Sequence, residues 1–308
     1  MRKAINLLFV LLFFLSFFIW SEVARTPLDN ETVRLFFLDV GQGDAILIEK
    51  GDYQILIDGG PDDEILSELG AIMPIADRKI ETVILTHPHA DHLTGINLIL
   101  DRYEVDKFYH SGTSYNSNAY EELTVKLLDK NIDSFIPEIG EMVVPYENAE
   151  MIFLWPGAQY LGATLQNANN SSVVSRFCYF DQCVLLTGDI EVDEQKKMFD
   201  YYFSNSADND ISQPVASNNN YSSIESEKSA IIKSDILKIP HHGSSNGTNA
   251  LLLQKVDPKT VVIQVGADNK FGHPHNQVVE FMKNIQIYRT DRDGRIEFIF
   301  SPKGIIKE

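Results

Sequence analysis

The chain has 308 residues, 44% hydrophobic and 23% charged, which excludes disorder and low-complexity fibre because its apolar side chains suffice to offset chain entropy. With 26 Lys and Arg against 44 Asp and Glu the net charge is −18, so a protein that coats nucleic acid through a basic face is excluded, and phosphate must be attracted by positive charge concentrated locally. Two cysteines are too few for a disulfide-stapled mini-fold or a cysteine-based zinc module.

Arg2 and Lys3 precede an uncharged run from Ala4 to Trp20. Its length lies at the seam between a signal-peptide core, about 7–15 residues, and a spanning helix, about 17–25. Residues 1–24 therefore read either as a cleaved signal peptide or as an uncleaved membrane anchor. In both cases Arg2 and Lys3 stay cytoplasmic, and the rest of the chain is extracytoplasmic, secreted or anchored. Residues 25–32 are a linker, and residues 33–305 form one domain.

From Thr32 the pattern changes to period two. Strands are predicted over Val33–Val40, Ala45–Glu49 and Tyr53–Asp58, joined by turns at Gly41-Gln42-Gly43-Asp44 and Gly51-Asp52, as in a β-meander. A short helix over Glu64–Gly70 precedes a buried strand, Thr82–Thr86, and a helix over Leu93–Leu100. Val105–Tyr109 is a strand, Tyr120–Lys130 a helix and Glu150–Trp155 a strand. Val173–Phe180 and Cys183–Thr187 form a hairpin across Asp181-Gln182. In that register Cys183 faces Phe180 and Cys178 lies diagonally from it, too far for a relaxed disulfide, so both cysteines are expected as small half-buried residues. Glu191–Tyr202 is helical, and residues 203–228, rich in Ser, Asn, Asp and Glu, read as a surface insertion. Strands over Asp235–Ile239 and Thr260–Val265, helices over Leu251–Val256 and Gln277–Lys283, and strands over Ile287–Thr290 and Arg295–Phe300 complete the chain. Strand-rich runs alternate with helices in two halves, which fits an α/β (α+β) four-layer αββα sandwich better than a doubly wound sheet.

Seven of the eight histidines fall in three clusters, each at or near the end of an apolar strand. The first is His87-Pro88-His89-Ala90-Asp91-His92, three imidazoles and a carboxylate able to converge on two adjacent cations. This is a ligand set for Zn²⁺, Mn²⁺ or Fe²⁺. The second is His241-His242-Gly243, and the third His273-Pro274-His275. Val184-Leu185-Leu186-Thr187-Gly188-Asp189 delivers Asp189 as a bridging carboxylate between two cations. Asp58, at the end of its own strand, is placed to accept the N–H of a ligand histidine. His110 is given no role.

These motifs resemble the metallo-β-lactamase-fold superfamily of metal-dependent hydrolases: His87, His89, Asp91, His92 and Asp189 match its defining motifs and Asp58 its first aspartate. Within it the chain is similar to the extracellular hydrolase domain of ComEC-type competence proteins and their stand-alone relatives. That similarity rests on Leu38-Asp39-Val40-Gly41-Gln42-Gly43-Asp44, Leu186-Thr187-Gly188-Asp189, Leu237-Lys238-Ile239-Pro240-His241-His242-Gly243-Ser244 and Gly272-His273-Pro274-His275, and spans about residues 33–300. The histidine usual upstream of the bridging aspartate is absent, and Asn169-Asn170 stands near its place. The resemblance implies two divalent cations, Zn²⁺ first and Mn²⁺ as the alternative, held by His87, His89, Asp91, His92, Asp189, His242 and His273. Asp58, Asn170 and Asp44 would support these ligands. His241 and His275 would contact substrate or donate a proton to the leaving group, although either histidine pair can be reversed. Asp91 would also orient the nucleophile.

Hydrolysis with water activated by two cations follows from this set. The expected substrate is a phosphodiester, making the chain a phosphodiesterase or nuclease. The alternatives are a phosphorylcholine-type esterase on cell-envelope phosphodiesters and a lactamase- or lactonase-like carbonyl hydrolase. Lys238, Lys270, Arg289, Arg292 and Arg295 are expected on the solvated surface, at most as a modest basic rim. No obligate protein partner is inferred, and the membrane is a partner only if the first segment is retained.

Overall fold

Period-two alternation sends successive side chains to opposite faces of a strand, and here both faces are apolar. In Leu35-Phe36-Phe37 and Ile46-Leu47-Ile48 the outer residues point to one core and the middle residue to another. Each sheet is therefore sandwiched. The computed structural model of the chain describes residues 2–25, 31–203 and 230–308; residues 26–30 of the expected linker and nearly all of the expected surface insertion lie outside them.

Strands β1 (Val33–Phe37), β2 (Ile46–Lys50), β3 (Tyr53–Ile57), β4 (Lys79–Leu85), β5 (Glu104–His110) and β6 (Asp133–Phe135) follow one another across the first sheet. The second sheet contains β7 (Met142–Val143), β8 (Ala149–Trp155), β9 (Val174–Tyr179), β10 (Gln182–Leu186), β11 (Ile236–Lys238), β12 (Thr260–Ile263) and β13 (Gln286–Arg289) in that order. The chain then returns to the first sheet, where β14 (Ile296–Ser301) pairs with β1 and β15 (Gly304–Lys307) extends the edge. In each sheet an antiparallel part gives way to a parallel one, β3 to β6 and β10 to β13.

Between the sheets lies one core, with Leu35, Phe37, Ile46, Ile48, Ile55 and Ile57 facing Met151, Phe153, Phe177, Val184 and Leu186. The opposite face of the first sheet is covered by α2 (Glu64–Ile72), α3 (Ala90–Arg102) and α4 (Asn118–Asp129), through Ile65, Leu69, Leu93, Ile96, Leu100 and Leu123. The opposite face of the second is covered by α5 (Val192–Phe203), α6 (Ala250–Val256) and α7 (Asn276–Phe281), through Met198, Phe199, Leu252, Val256 and Val278. A short α8 (Thr290–Asp293) leads into β14. The result is the four-layer αββα sandwich.

The first element, α1 (Arg2–Arg25), carries exposed apolar side chains, among them Leu8, Phe9, Phe13 and Phe14. Among the described residues no helix is long and apolar enough to cross a membrane.

The hairpin register differs from the expected one. Its two-residue turn is Phe180-Asp181, so Gln182 faces Tyr179 and Cys183 faces Cys178 directly. The cysteines form a disulfide, with Cα atoms 4.1 Å apart. Moving the turn by one residue moves every cross-strand partner by two, which turns a diagonal pair into an opposed one. Helix α3 also starts three residues earlier than its apolar periodicity suggests, which brings Asp91 and His92 onto its first turn. Strands β6, β7 and β15, each short, were not legible as separate elements.

Close packing places α3 against the sheet. The Gly59 amide donates to His92 O at 2.7 Å and the Gly95 amide to Gly60 O at 3.0 Å. A Cβ on Gly95 would stand 1.8 Å from Gly59 O. Gly95→Ala is expected to cost about 1–3 kcal/mol or more by overpacking and to tilt α3 off the sheet; thermal unfolding of the variant measures it.

A second consequence concerns pH. Across β2, β1 and β14, Arg34 holds Glu49 at 3.0 Å and Glu297 at 2.8 Å. Burial pushes the Glu49 carboxyl up to about 7, against the Arg34 charge that lowers it. A folded-state value above the unfolded one gives stability that is present below about 4.5 and lost as pH rises through about 7. Relative to Glu49→Gln, the native chain should lose on the order of 3 kcal/mol between pH 4.5 and 8, read from denaturant unfolding at each pH.

Candidate metal centre

The parallel strands of both sheets end on the same side of the molecule, and the loops that leave them carry the polar residues, as is usual for open α/β sheets. Asp58 follows β3, His87 and His89 follow β4, Asp189 follows β10, and His241 and His242 follow β11. The β1–β2 loop adds Asp44, whose approach requires Gly43: a Cβ there would meet Asp91 O at 2.2 Å.

Four ligand atoms converge. Those of Asp91, His92, Asp189 and His242 lie within 4.8 Å of one another. Nε2 of His92 and Nε2 of His242 each stand 3.3 Å from Asp189 Oδ2, and Nε2 of His242 is 3.4 Å from Asp91 Oδ2. His92, Asp189 and His242 are buried, whereas the Asp91 side chain is 34% exposed and forms the open side. The Nε2 atoms of His92 and His242 are buried without a hydrogen-bond partner. Orphaned buried nitrogens are costly, and two of them aimed at a shared carboxylate oxygen fit a divalent cation of the imidazole–carboxylate class.

Each ring is oriented from behind. Asp58, held in the left-handed region at φ 59°, accepts the Thr86 amide at 2.8 Å and the Thr86 hydroxyl at 2.7 Å. Its Oδ2 lies 2.7 Å from Nδ1 of His92. Nδ1 of His242 donates to Gln264 O at 2.9 Å. These contacts leave Nε2 of both rings facing Asp189, the arrangement that carboxylate or carbonyl support imposes on a metal-binding histidine.

A second group, Asp44, Asp58 and His92, also lies within ligand distance. The two groups share His92 and form one Asp/His-rich centre that, with His87 and His89 beside it, supports a binuclear divalent-metal site. His87 and His89 adjoin the first group. The His87 ring centroid is 4.1 Å from that of His92, and its Nε2 is 3.0 Å from Nδ1 of His89.

Electrostatics divide the histidines in two. Burial opposes charge on His92 and His242, but the carboxylates around them, Asp189 first, outweigh it and raise both rings well above the ordinary value. Burial likewise opposes the Asp189 anion, and His242, His92 and Lys238 more than compensate, holding it well below the carboxylate range. Burial and the neighbouring His92 lower His87, and burial lowers His89, so these two rings are neutral.

The remaining expected residues lie at the mouth. His241 is 3.5 Å from Glu191 through Nδ1, and its Nε2 is 3.4 Å from Nδ2 of Asn169. It is thus Asn169, rather than Asn170, that reaches the site; Oδ1 of Asn170 is buried without a hydrogen-bond partner. His273 belongs to neither group. Its ring is 5.8 Å from that of His241, its Nδ1 is buried without a partner, and burial lowers its pKa to about 4. His275 precedes α7, with its amide donating to Gly243 O and its ring 5.2 Å from that of His273.

Lys238 departs furthest from expectation. It is fully buried rather than solvated, pairing with Asp44 and lying 3.4 Å from Asp189 Oδ1. Arg289 and Arg295 are paired with Asp291 and Glu68. The one sequence signal for Lys238 was its position inside an apolar strand, Ile236-Leu237-Lys238-Ile239.

This sandwich, with Asp/His-rich groups where its parallel strands end, defines a metal-dependent hydrolase. Residues 38–266 match the metallo-beta-lactamase superfamily, and the chain belongs to it. Among curated proteins it is similar to ComE operon protein 3 of Bacillus subtilis, 24% identical over 85% of this chain and 32% of that protein. It is also similar to Recombination protein 2 of Haemophilus influenzae, 27% identical over 82% of this chain and 27% of that protein. The chain thus spans about a third of the length of these relatives. Among solved structures, the metallo-beta-lactamase fold protein YhfI of Bacillus subtilis superposes with a TM-score of 0.51 at 14% identity, covering 86% of this chain and 99% of that one. CmlA, a diiron β-hydroxylase from Streptomyces venezuelae, superposes with a TM-score of 0.50 at 16% identity, covering 89% and 55%. At such identities these structures share the fold alone.

Asp58→Asn is expected to release the His92 ring and weaken cation binding about 10–100-fold, as loss of a partner behind a ligand does. Calorimetric titration with Mn²⁺ measures the change.

Proposed function

We propose that the chain is an extracytoplasmic phosphodiesterase acting with two divalent cations. The observation that carries this reading is the buried Asp91–His92–Asp189–His242 group, closed on three sides and open at Asp91. The first cation is assigned to this group. The second is assigned to the neutral His87–His89 pair beside it, because Asp44 and Asp58 are already engaged by Lys238 and by Thr86 and His92. When bound, two such cations lower the pKa of water and offset charge on a phosphoryl oxygen.

The chain's own groups complete the chemistry. Asp91, half out of the protein, is placed to orient the attacking water. His241, with Glu191 on its Nδ1, is placed to deliver a proton from Nε2 to the leaving oxygen. Asn169 lines the mouth beside that ring. The name of one relative, Recombination protein 2 of Haemophilus influenzae, favours DNA as the phosphodiester.

A second reading has its own support. The −18 charge disfavours a long polyanion and suits a cationic headgroup. Tyr115, packed edge-on against His89, and Phe271, 66% exposed and stacked on His273, offer aromatic faces for a quaternary ammonium. A phosphorylcholine-type envelope phosphodiester is therefore the alternative substrate.

The Cys178–Cys183 disulfide supports an oxidising compartment, and the exposed apolar side chains of α1 support membrane targeting by that helix.

The purified chain loaded with Mn²⁺ or Zn²⁺ is expected to hydrolyse bis-p-nitrophenyl phosphate. Asp189→Asn should lower kcat by about 100-fold or more, since it removes a ligand shared by the group. Single-stranded DNA and p-nitrophenyl phosphorylcholine separate the two substrates. Cleavage of a chromogenic β-lactam alone would overturn both.

A further inference from the structure

Lysine is among the residues least often buried, and an unpaired buried charge is strongly destabilising. Lys238 is nevertheless 0% exposed, in the second sheet between β10 and β12. Its Nζ donates to Gly188 O at 3.0 Å, lies 3.4 Å from Asp189 Oδ1 and pairs with Asp44. Its own carbonyl accepts the Thr187 hydroxyl at 2.9 Å. Lys238 is therefore tied at both ends to the loop that presents Asp189.

Those partners come from different sheets. Asp44 stands on the β1–β2 loop of the first sheet, and Asp189 on the loop after β10 of the second. Both are 2% exposed or less, and Asp58 and Asp91 lie close by on His92. Three buried carboxylates and the partly open Asp91 thus crowd together. Among the described residues Lys238 is the one lysine or arginine recorded within ion-pair distance of any of them. By engaging Oδ1 of Asp189 it also leaves Oδ2 turned to His92 and His242.

We propose that Lys238 is a built-in counter-cation: a positioning residue that joins Asp44 and Asp189 across the two sheets and keeps the carboxylate centre assembled before any metal enters. The inference rests on the Asp91–His92–Asp189–His242 group being the metal site, and says that this site is pre-formed in the metal-free chain. Without the lysine, Asp44 and Asp189 would keep only the imidazoles of His92 and His242 as counter-charges until a metal enters.

The test compares thermal unfolding of the full chain in EDTA and in Mn²⁺ for the native protein, Lys238→Met, and Lys238→Met combined with Asp44→Asn. The native chain should stay folded in EDTA and gain a few degrees with Mn²⁺, as a ligand binding only the folded state requires. Lys238→Met should lose about 10 °C in EDTA and regain at least half of it with Mn²⁺, a response larger than the native one. The double variant should be more stable in EDTA than Lys238→Met. Equal losses with and without Mn²⁺, or no loss, would overturn the inference while leaving the metal site intact. If Lys238→Met does not fold, a double variant folded in EDTA supports the inference, and one that also fails overturns it. A native chain that gains nothing from Mn²⁺ would remove the metal site and the inference together.

Discussion

Several carboxylates are buried where the two sheets meet, and the architecture around them holds a partner against each. Asp44, Asp58 and Asp189 are almost completely inaccessible, and Asp91 is only partly open. An unpaired carboxylate in such a place costs several kcal/mol, so each needs a partner of fixed position. Asp58 has the Thr86 amide and hydroxyl and the His92 ring; Asp44 has Lys238; Asp189 has Lys238 and two imidazoles. These partners come from both halves of the chain. The inter-sheet core therefore does more than bury apolar area: it sets the distance at which Asp44 of one sheet meets Lys238 of the other.

Three of the seven non-glycine residues at positive φ among the described residues stand at the same place. Asp58, His241 and His242 all adopt positive φ without being glycine, at 59°, 51° and 54°. Such residues cost of order 1–3 kcal/mol each and persist only where surrounding contacts over-determine them. The contacts are present: three to the Asp58 carboxylate, and the bond from His242 to the Gln264 carbonyl. The left-handed turn at His241-His242 points successive imidazoles in different directions. His242 goes inward to Asp189, and His241 outward to Glu191 and Asn169. One dipeptide thereby supplies a buried nitrogen facing Asp189 and a more accessible imidazole at the mouth.

Much of this was legible in the residues. Strand faces repeat every second position, so alternation along Leu35-Phe36-Phe37 and Val184-Leu185-Leu186 marks sheets with apolar residues on both faces whatever lies between them. The spacing His87-x-His89-x-Asp91-His92 stands out because histidine is scarce. The misreadings share a cause. Hairpin register is decided by which two residues take the turn, and both Phe180-Asp181 and Asp181-Gln182 are compatible with the pattern; the choice changes Cys178–Cys183 from a diagonal pair to a disulfide. Lys238 has the composition of a surface residue and the neighbours of a core one, and only the carboxylates brought from elsewhere resolve the conflict. Asn169 and Asn170 are adjacent and identical in type, so nothing local says which side chain faces His241.

Periodicity and ligand type are local properties of the chain, so the class of architecture, the chemistry of the donor set and the strand ends that carry it are readable in the residues alone. Which histidines share Asp189, which asparagine enters the mouth and which carboxylates Lys238 meets are settled once the two sheets pack. Each of these depends on distances between residues far apart in the chain, such as Asp44 and Lys238. Those distances are set by how two sheets pack face to face, which no single segment encodes.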